Sequence, residues 1–525
     1  MKNLKQALAF MLILSTFFAC NEAKVAKTTF VMNGTLEGIT DGKIMLSTFS
    51  EEGSTQDSAL IKEGKFIFKG DFSSPRQAYL QIEGTRAFKM IYVENEVMTL
   101  NGNVEEFGKA SITGSQAQDG LNIYDAEKML IEEKYKDVIP EFYKPGITEE
   151  RKAELEKEIE KQMVEMEALN EKFIKENPAT FHSVVLVSQK LSGKSAVDAE
   201  KTLNALAPEL QKNPLIVKLK AKFAKMKEVE KGFDEVMANA SNVAYKVDSK
   251  FKGESLKDII YLGAFLNNNI CALQKDGTVQ IIDPMGKLVS NFKPELKGAP
   301  ASIAVDQANQ IYVLSTLQKK VTKKVRGKSY DRMVPMGVEC TILNEKGEQV
   351  NQYSLPSLKT ATGARISDDI LIIADYQNKR IAMFDAKTGN AGASIDEMRP
   401  CCGILDFSVN AKKEILVANL GAFRVQGFDF KGKNIVAFGQ RGKSLDEFHG
   451  CCNPVSVNSL SNGAIVTVEK DPTRIKIYSK EGAKQIAGIE ELVKGCSHIP
   501  MIVDAKDNLY LASGAKGVVK CVSIN

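Results

Sequence analysis

Between residue 29 and about residue 116, apolar and polar positions alternate in short runs. "TTFVMNGTLEG", "GKIMLSTF", "SALIKEGKFIFKGDF", "QAYLQI", "FKMIYVENEVMTLNGN" and "ASITGS" follow one another with Gly, Asn and Asp between them. Successive side chains on a strand point to opposite faces, so this alternation predicts half-buried strands joined by tight turns. From about residue 117 the period changes. In "ITEERKAELEKEIEKQMVEMEALNEKFIKENP", Leu155, Ile159, Met163, Met166, Leu169 and Phe173 recur three or four apart and predict one apolar stripe along a helix. Glu and Lys fill the remaining positions with many four-residue pairs, and Pro178 ends the run. Shorter helices are expected over 179–192, 195–210 and 213–235.

From about residue 245 the chain repeats. "TVQIIDPMGKLV", "CTILNEKGEQV", "RIAMFDAKTGNA", "RVQGFDFKGKNI" and "RIKIYSKEGAKQ" each read as a strand, a turn ending at Gly, and another strand. The turn glycines Gly286, Gly347, Gly389, Gly432 and Gly482 stand roughly 42 to 61 residues apart. Ahead of each unit lies a second two-strand pattern, as in "SIAVDQANQIYVLS", "DFSVNAKKEILVAN" and "PVSVNSLSNGAIVTVE". Four strands per forty-odd residues is the pattern of propeller blades, and about 280 residues hold roughly six. The last blade lacks a fourth strand of its own. "VAYKVDSKF", residues 243–251, can supply it and close the ring. The basic insertion "QKKVTKKVRGKSYDR" reads as a solvated hairpin extension.

The fold class that follows is multidomain: a small all-β N-terminal domain over 29–116, an α-helical connector over 117–242, and a C-terminal β-propeller of about six blades over 243–525. At 525 residues the chain exceeds what one hydrophobic core organises, in keeping with that division. A formal net charge of +4 with acids and bases interspersed lacks the basic footprint of a nucleic-acid binder, and the absence of Trp removes an obvious stacking platform.

The first residues, "MKNLKQALAFMLILSTFFAC", place Lys2 and Lys5 before an apolar run from Ala7 to Phe18 and then Ala19–Cys20. The run is short for a membrane span and reads as an export signal. A small residue followed by Cys resembles the cleavage site of bacterial lipoproteins, although Phe17 stands where that family usually has Leu. The resemblance implies a lipoprotein signal peptide over 1–19, lipidation of Cys20, and a polar tether over 20–28. The expected setting is the cell envelope, with export from the cytoplasm and an outer-membrane lipid anchor as the membrane partner.

Two further resemblances concern the domains. "F-x-x-N-G-x-L-x-G", the "EGKFIFKG" hairpin and the closing "ITGSQAQ" resemble the small β-domain that precedes thioredoxin in lipid-anchored thiol–disulfide oxidoreductases. No C-x-x-C follows anywhere, so their redox activity does not transfer. "VANLGAFRVQGFDFKG", with Arg380, Arg424 and Arg474 opening the third strand of their blades, resembles propellers of the NHL repeat family. Those arginines read as structural, pairing with carboxylates on neighbouring strands. "F-x-G-C-C-N-P" resembles a bacterial subgroup of the same propellers, with no role implied.

The chemistry-bearing residues gather at one phase of the repeat. "RPCCGILDF", "EFHGCCNP" and "GCSHIP" put Cys401, Cys402, Cys451, Cys452, Cys496, His449 and His498 just before the first strands of blades four, five and six. Setting Cys20 aside leaves eight cysteines, an even number, in a compartment where disulfides persist. Three readings stand side by side. Disulfides can tie adjacent blades; neighbouring Cα atoms are about 3.8 Å apart, below the roughly 4.4–6.8 Å of a relaxed bond, so pairing between clusters is easier than within one. Thiolate and imidazole can instead hold a metal ion, with zinc, copper(I) or an iron–sulfur cluster suited to them. A strained vicinal disulfide can act in redox exchange. Asp406, Asn419, Glu469 and Asp504 are weaker candidates as axial ligands, with Glu469–Lys470 reading equally as a salt-bridged strand end, and "G-x-S-x-G" is absent. No catalytic residue emerges, and the reading leans away from an enzyme. It favours non-enzymatic binding of a protein, peptide or glycan, with thiol-redox or metal handling on the Cys/His face as the alternative.

Overall fold

The computed structural model describes residues 29–50, 53–253, 256–325, 328–470, 472–493, 498–513 and 517–524. The chain forms two compact units that divide between Leu186 and Val187.

In the first unit the alternating runs form an eight-stranded half-barrel sheet. Its spatial order is Phe88–Val93, Arg76–Ile82, Asp41–Ser50, Gly53–Lys62, Lys65–Gly70, Phe30–Glu37, Val97–Asn103 and Ser111–Thr113. Phe30–Glu37 runs parallel to Val97–Asn103, and the other neighbours are antiparallel. Phe30, Met32 and Leu36 bury one face of the first strand. Gly34 shares that face, and the ring of its cross-strand partner Phe66 lies where a side chain would go: a Cβ at Gly34 would sit 2.0 Å from it.

Helix Gln116–Lys134 starts at Ser115, whose Oγ accepts from Gln118 N and donates to Glu94 at 2.7 Å. The long helix spans Glu149–Glu176, capped by Thr148. Its stripe is split. Leu155 packs with Tyr135 and Val138, while Leu169 and Phe173 pack with Tyr124 and Leu186. Met163, a member of the predicted apolar stripe, falls between the two contacts and is 59% exposed.

The second unit holds six four-stranded antiparallel sheets. Their innermost strands are Ile259–Ala264, Ala299–Val305, Gly363–Ser367, Asp406–Val409, Ser456–Ser459 and Met501–Val503, and each neighbours the next around a closed ring. Blade six takes its outer strand from Ala244–Val247, in register Cys521↔Val247 to Ile524↔Ala244. That is the expected closure, and it removes an open sheet edge. In blade two the strands Ile311–Val325 and Lys328–Leu343 extend past their neighbours as a long hairpin.

The helical region divides between the units. Helices Ala196–Asn204 and Pro214–Met237 belong with the propeller. Phe233 stacks on Phe438 of blade four at 4.1 Å, and Glu230 meets Arg424 of the same blade at 2.6 Å.

Candidate functional site

Blades three, four and five share one device that positions their lead-in loops. The last residue of the second strand pairs across the ladder with the arginine opening the third: Asp375 with Arg380, Asn419 with Arg424, Glu469 with Arg474. Each acceptor is buried and takes backbone N–H groups from its blade's lead-in loop. Asp375 accepts from Lys359 at 3.2 Å and Thr360 at 3.1 Å, Asn419 from Arg399 at 2.7 Å, and Glu469 from His449 at 2.9 Å. Arg380 and Arg474 also donate to loop carbonyls, Ser357 at 2.7 Å and Glu447 at 3.0 Å. Blade four carries a neutral Asn at this position, and its arginine finds its carboxylate on helix Pro214–Met237 instead. Of these three acceptors, the sequence offers Asn419 as a weak ligand candidate and Glu469 as either a ligand or a salt-bridged strand end, and the latter is what forms, while Asp375 draws no attention to itself. The constant spacing of five residues to the following arginine was the signal available.

These anchored loops carry the cysteines. Cys401 to Ile404 form a tight turn, with Ile404 N donating to Cys401 O at 2.9 Å. Its central residues Cys402 and Gly403 have φ of +52° and +77°. Two left-handed residues in succession are the pattern of a type I′ turn, which ordinarily takes Asn–Gly. The second loop is held by Asn453, fully buried, whose Nδ2 donates to the carbonyls of His449 and Lys470 at 2.5 and 2.7 Å. Its Oδ1 accepts from Lys470 N at 2.9 Å.

Cys401 and Cys452 form a disulfide across blades four and five, with Cα atoms 6.3 Å apart. Cys402 Sγ lies 3.5 Å from Cys401 Sγ, and the sulfurs of Cys401, Cys402 and Cys452 all fall within 4.8 Å of one another. Cys452 is buried among Phe448, Val455 and Ile404, while Cys402 and Cys451 are free and exposed. Cys451, His449 and His498 do not join the three-sulfur group. Cys496 and Cys20 lie outside the described residues. Among the described residues the other free thiols, Cys271, Cys340 and Cys521, are buried in blades one, two and six. Burial pushes Cys340 and Cys521 up to about 12 and Cys271 higher still, so these thiols stay protonated.

A second cluster lies on the ring axis. Tyr261 of blade one donates to Asp406 of blade four at 3.1 Å and accepts from Arg365 of blade three. Arg365 packs its guanidinium over the Tyr261 ring at 5.0 Å. Asp406 Oδ2 and His498 Nε2 are buried without a hydrogen-bond partner. Burial raises the Tyr261 phenol, which therefore stays protonated. Burial also lowers His498, with Arg365 and Lys470 adding to that effect and Asp406 opposing it, so the imidazole is neutral. His498 thus belongs electrostatically to the axial cluster.

The innermost strands also enclose a cavity of about 200 Å³. All six innermost strands contribute to its wall, among them Ala264, Val305, Arg365, Val409, Asn458 and Val503. The cysteine loops lead into the opposite, N-terminal ends of these strands. Among the described residues no carboxylate forms an ion pair with Arg365.

The architecture is that of a six-bladed β-propeller preceded by a small β half-barrel and helices. Residues 30–121 match the family model described as "Domain of unknown function (DUF4369)". No curated protein matches the chain. Among solved structures, a catalytically inactive virginiamycin B lyase from Staphylococcus aureus with quinupristin is similar at 10% identity and TM-score 0.36, over 53% of this chain and 100% of that one. A streptogramin B lyase gives 10% and 0.37 over 54% and 100%. The WD40 β-propeller domain of Doa1 gives 13% and 0.35 over 53% and 97%. At these values no activity carries over.

Proposed function

We propose that this protein is a lipid-anchored envelope protein whose propeller is a non-enzymatic binding or scaffold module for a protein, peptide or glycan ligand that presents an acidic group. The observation that carries this reading is the cavity walled by all six blades, with Arg365 among its lining residues. Among the described residues Arg365 makes no direct ion pair, its one link to a carboxylate running through the Tyr261 hydroxyl to Asp406, and a guanidinium so placed has donors left for an anion. At about 200 Å³ the recess takes one side chain or one sugar substituent and not a whole ligand, so the rest of the partner would lie on the surrounding face. The open edges of the innermost strands offer backbone donors and acceptors around it. Lys2, Lys5, the apolar run and Ala19–Cys20 support the anchor.

The test is a fluorescence-polarisation screen of acidic and neutral peptides, and of uronic-acid-bearing and neutral oligosaccharides, against the wild type and Arg365→Ala. Binding confined to acidic probes and lost in Arg365→Ala supports the reading. Equal binding by both proteins removes the channel from it. Incorporation of a labelled fatty acid that disappears in Cys20→Ser would support the anchor, and unchanged incorporation would remove it.

A further inference from the structure

The three-sulfur group does more than join two blades. We infer that it is a thiol–disulfide exchange site in which Cys402 is the attacking thiol, serving a dithiol on a partner protein or peptide. The inference is independent of the channel reading, because it rests on other residues at the other ends of the strands.

Three observations carry it. A free thiol stands 3.5 Å from one sulfur of an existing disulfide, in contact with it but beside rather than in line with the Cys401–Cys452 bond, so attack takes a rotation of the exposed Cys402 side chain and no backbone movement. The sulfurs differ in access: Cys452 is 6% exposed, while Cys402 is open to solvent. The backbone that places Cys402 there is costly, since a left-handed φ at a residue other than Gly or Asn is uncommon and stands out where a local constraint has a use. Asn or Gly at position 402 would make the same turn at lower cost. Neither would bring a sulfur.

The exchange step balances within the site. The Cys402 thiolate attacks Cys401 Sγ and forms a Cys401–Cys402 bond. The Cys401–Cys452 bond breaks, its electron pair leaves on Cys452 Sγ, and that sulfur takes up the proton Cys402 released. The new vicinal disulfide spans adjacent residues, whose Cα separation of about 3.8 Å is below the relaxed range, so it is the less stable and more reactive isomer. A partner thiolate can then attack Cys402 Sγ to form a mixed disulfide and displace Cys401 as a thiolate. The partner's second thiol resolves the mixed disulfide. Two electrons pass from partner to site, the partner leaves as a disulfide, and its two thiol protons end on the cysteines. Buried Cys452 serves as the leaving group of the first step and stays out of reach of the partner.

The test uses the full exported chain with dithiothreitol as the probe. Native alkylation with peptide mapping follows cleavage of the Cys401–Cys452 bond in the wild type, Cys402→Asn and Cys402→Ser. Asn–Gly suits the turn, so Cys402→Asn is expected to melt at or above the wild-type temperature, and Cys402→Ser keeps the side-chain size should Asn perturb folding. The expected result is cleavage slowed at least about tenfold in both variants. Before any reductant is added, a trace of Cys452 should be alkylated in the wild type only. The ratio of cleavage rates decides: equal rates in the three proteins overturn the proposal. So does purified wild type with Cys401 and Cys452 reduced on a stoichiometric metal ion.

Discussion

Tyr261 and Asp406 stand on blades one and four, opposite each other in a ring of six, yet the Tyr261 hydroxyl donates to Asp406 Oδ1 at 3.1 Å. The propeller axis is thus bridged by a hydrogen bond between its two sides, with Arg365 of blade three donating to the same hydroxyl. Gly363 leaves room for the bridge, since a Cβ there would lie 2.8 Å from the Tyr261 oxygen. Asp406 has no second partner: its Oδ2 is buried and unsatisfied. Tyr261→Phe therefore strips the carboxylate of its hydrogen bond while leaving it buried, at a cost of roughly 2–3 kcal/mol. Adding Asp406→Asn removes the charge and should return part of the loss. Denaturant unfolding of the propeller checks both. A Tyr261→Phe curve overlying the wild type would show that the bridge does not hold the ring.

Glu469 is fully buried between two cations, with Arg474 at 2.8 Å and Lys476 at 2.7 Å. Lys476 donates in turn to the carbonyls of Leu445 and Glu447, so the carboxylate holds the whole approach to the second cysteine pair. Glu469→Ala leaves buried cations without a counter-charge and should cost roughly 3–5 kcal/mol. It should also free the loop, seen as faster cleavage of the Cys401–Cys452 bond by reductant. Lys476→Met in the same chain removes one of the stranded charges and should recover part of the stability. If the loop chemistry stays at the wild-type rate while stability falls, the anchor and the cysteine geometry are separable.

The architecture was legible because the signals behind it are periodic. Alternation between residues 29 and 116 and the Gly-terminated turns from Gly286 to Gly482 are repeated many times, so no single substitution hides them. The closing strand at Ala244–Val247 followed from arithmetic, since one blade was a strand short. The site was less legible. Phase within the repeat brought the cysteine loops to one end of the strands, but which sulfurs meet depends on backbone conformation at single residues. The left-handed turn at Cys402 and Gly403 sets Cys402 against Cys401, and Cys451 has no such neighbour. The axial bridge was invisible for a different reason. Tyr261, Arg365 and Asp406 lie on three blades, Tyr261 104 residues before Arg365 and 145 before Asp406, at intervals no pattern marks; only closure of the ring brings them together. Arg424 was read correctly as a pairing arginine, but its partner lay beyond the repeats, on a helix whose charged sequence gave no sign of docking.

That docking leads to the next expectation. Glu230 takes two roles at once: it pairs with Arg424 at 2.6 Å and accepts from Ala196 N at 3.0 and 2.9 Å, which satisfies the start of helix Ala196–Asn204. Phe233 covers Phe438, which also meets Tyr478 of blade five at 4.8 Å. Glu230→Ala should cost roughly 2–4 kcal/mol in propeller unfolding, through the unpaired Arg424 and the uncapped helix together. Glu230→Gln keeps acceptor capacity and should cost less. A chain beginning at residue 243 would expose Phe438 and should unfold at lower denaturant than one beginning at residue 187. Equal midpoints would mean the helices only rest on the blade.

In the half-barrel unit, His182 sets a pH dependence whose sign follows from its surroundings. Its Nδ1 lies 2.7 Å from the Tyr92 hydroxyl, and the rings of Tyr124 and Phe173 pack at 4.3 and 5.3 Å. Burial, with a smaller contribution from the Lys128 charge, pulls the imidazole down to about 4 from its ordinary 6.5. The folded unit therefore holds His182 neutral through a range in which the unfolded chain takes up a proton. Its contribution is fully present above pH 6.5 and is lost as pH falls from 6.5 to about 4, by on the order of 2 kcal/mol. Other carboxylates titrate in the same range, so the informative quantity is the difference between the wild type and His182→Gln, whose stability should fall less steeply over that interval. Three histidines in the chain make the direct measurement tractable: with labelled histidine, the His182 resonance should stay in its neutral position down to about pH 4. A midpoint near 6.5 would mean that the imidazole reaches water, and the Tyr92 contact would then have to be broken in solution.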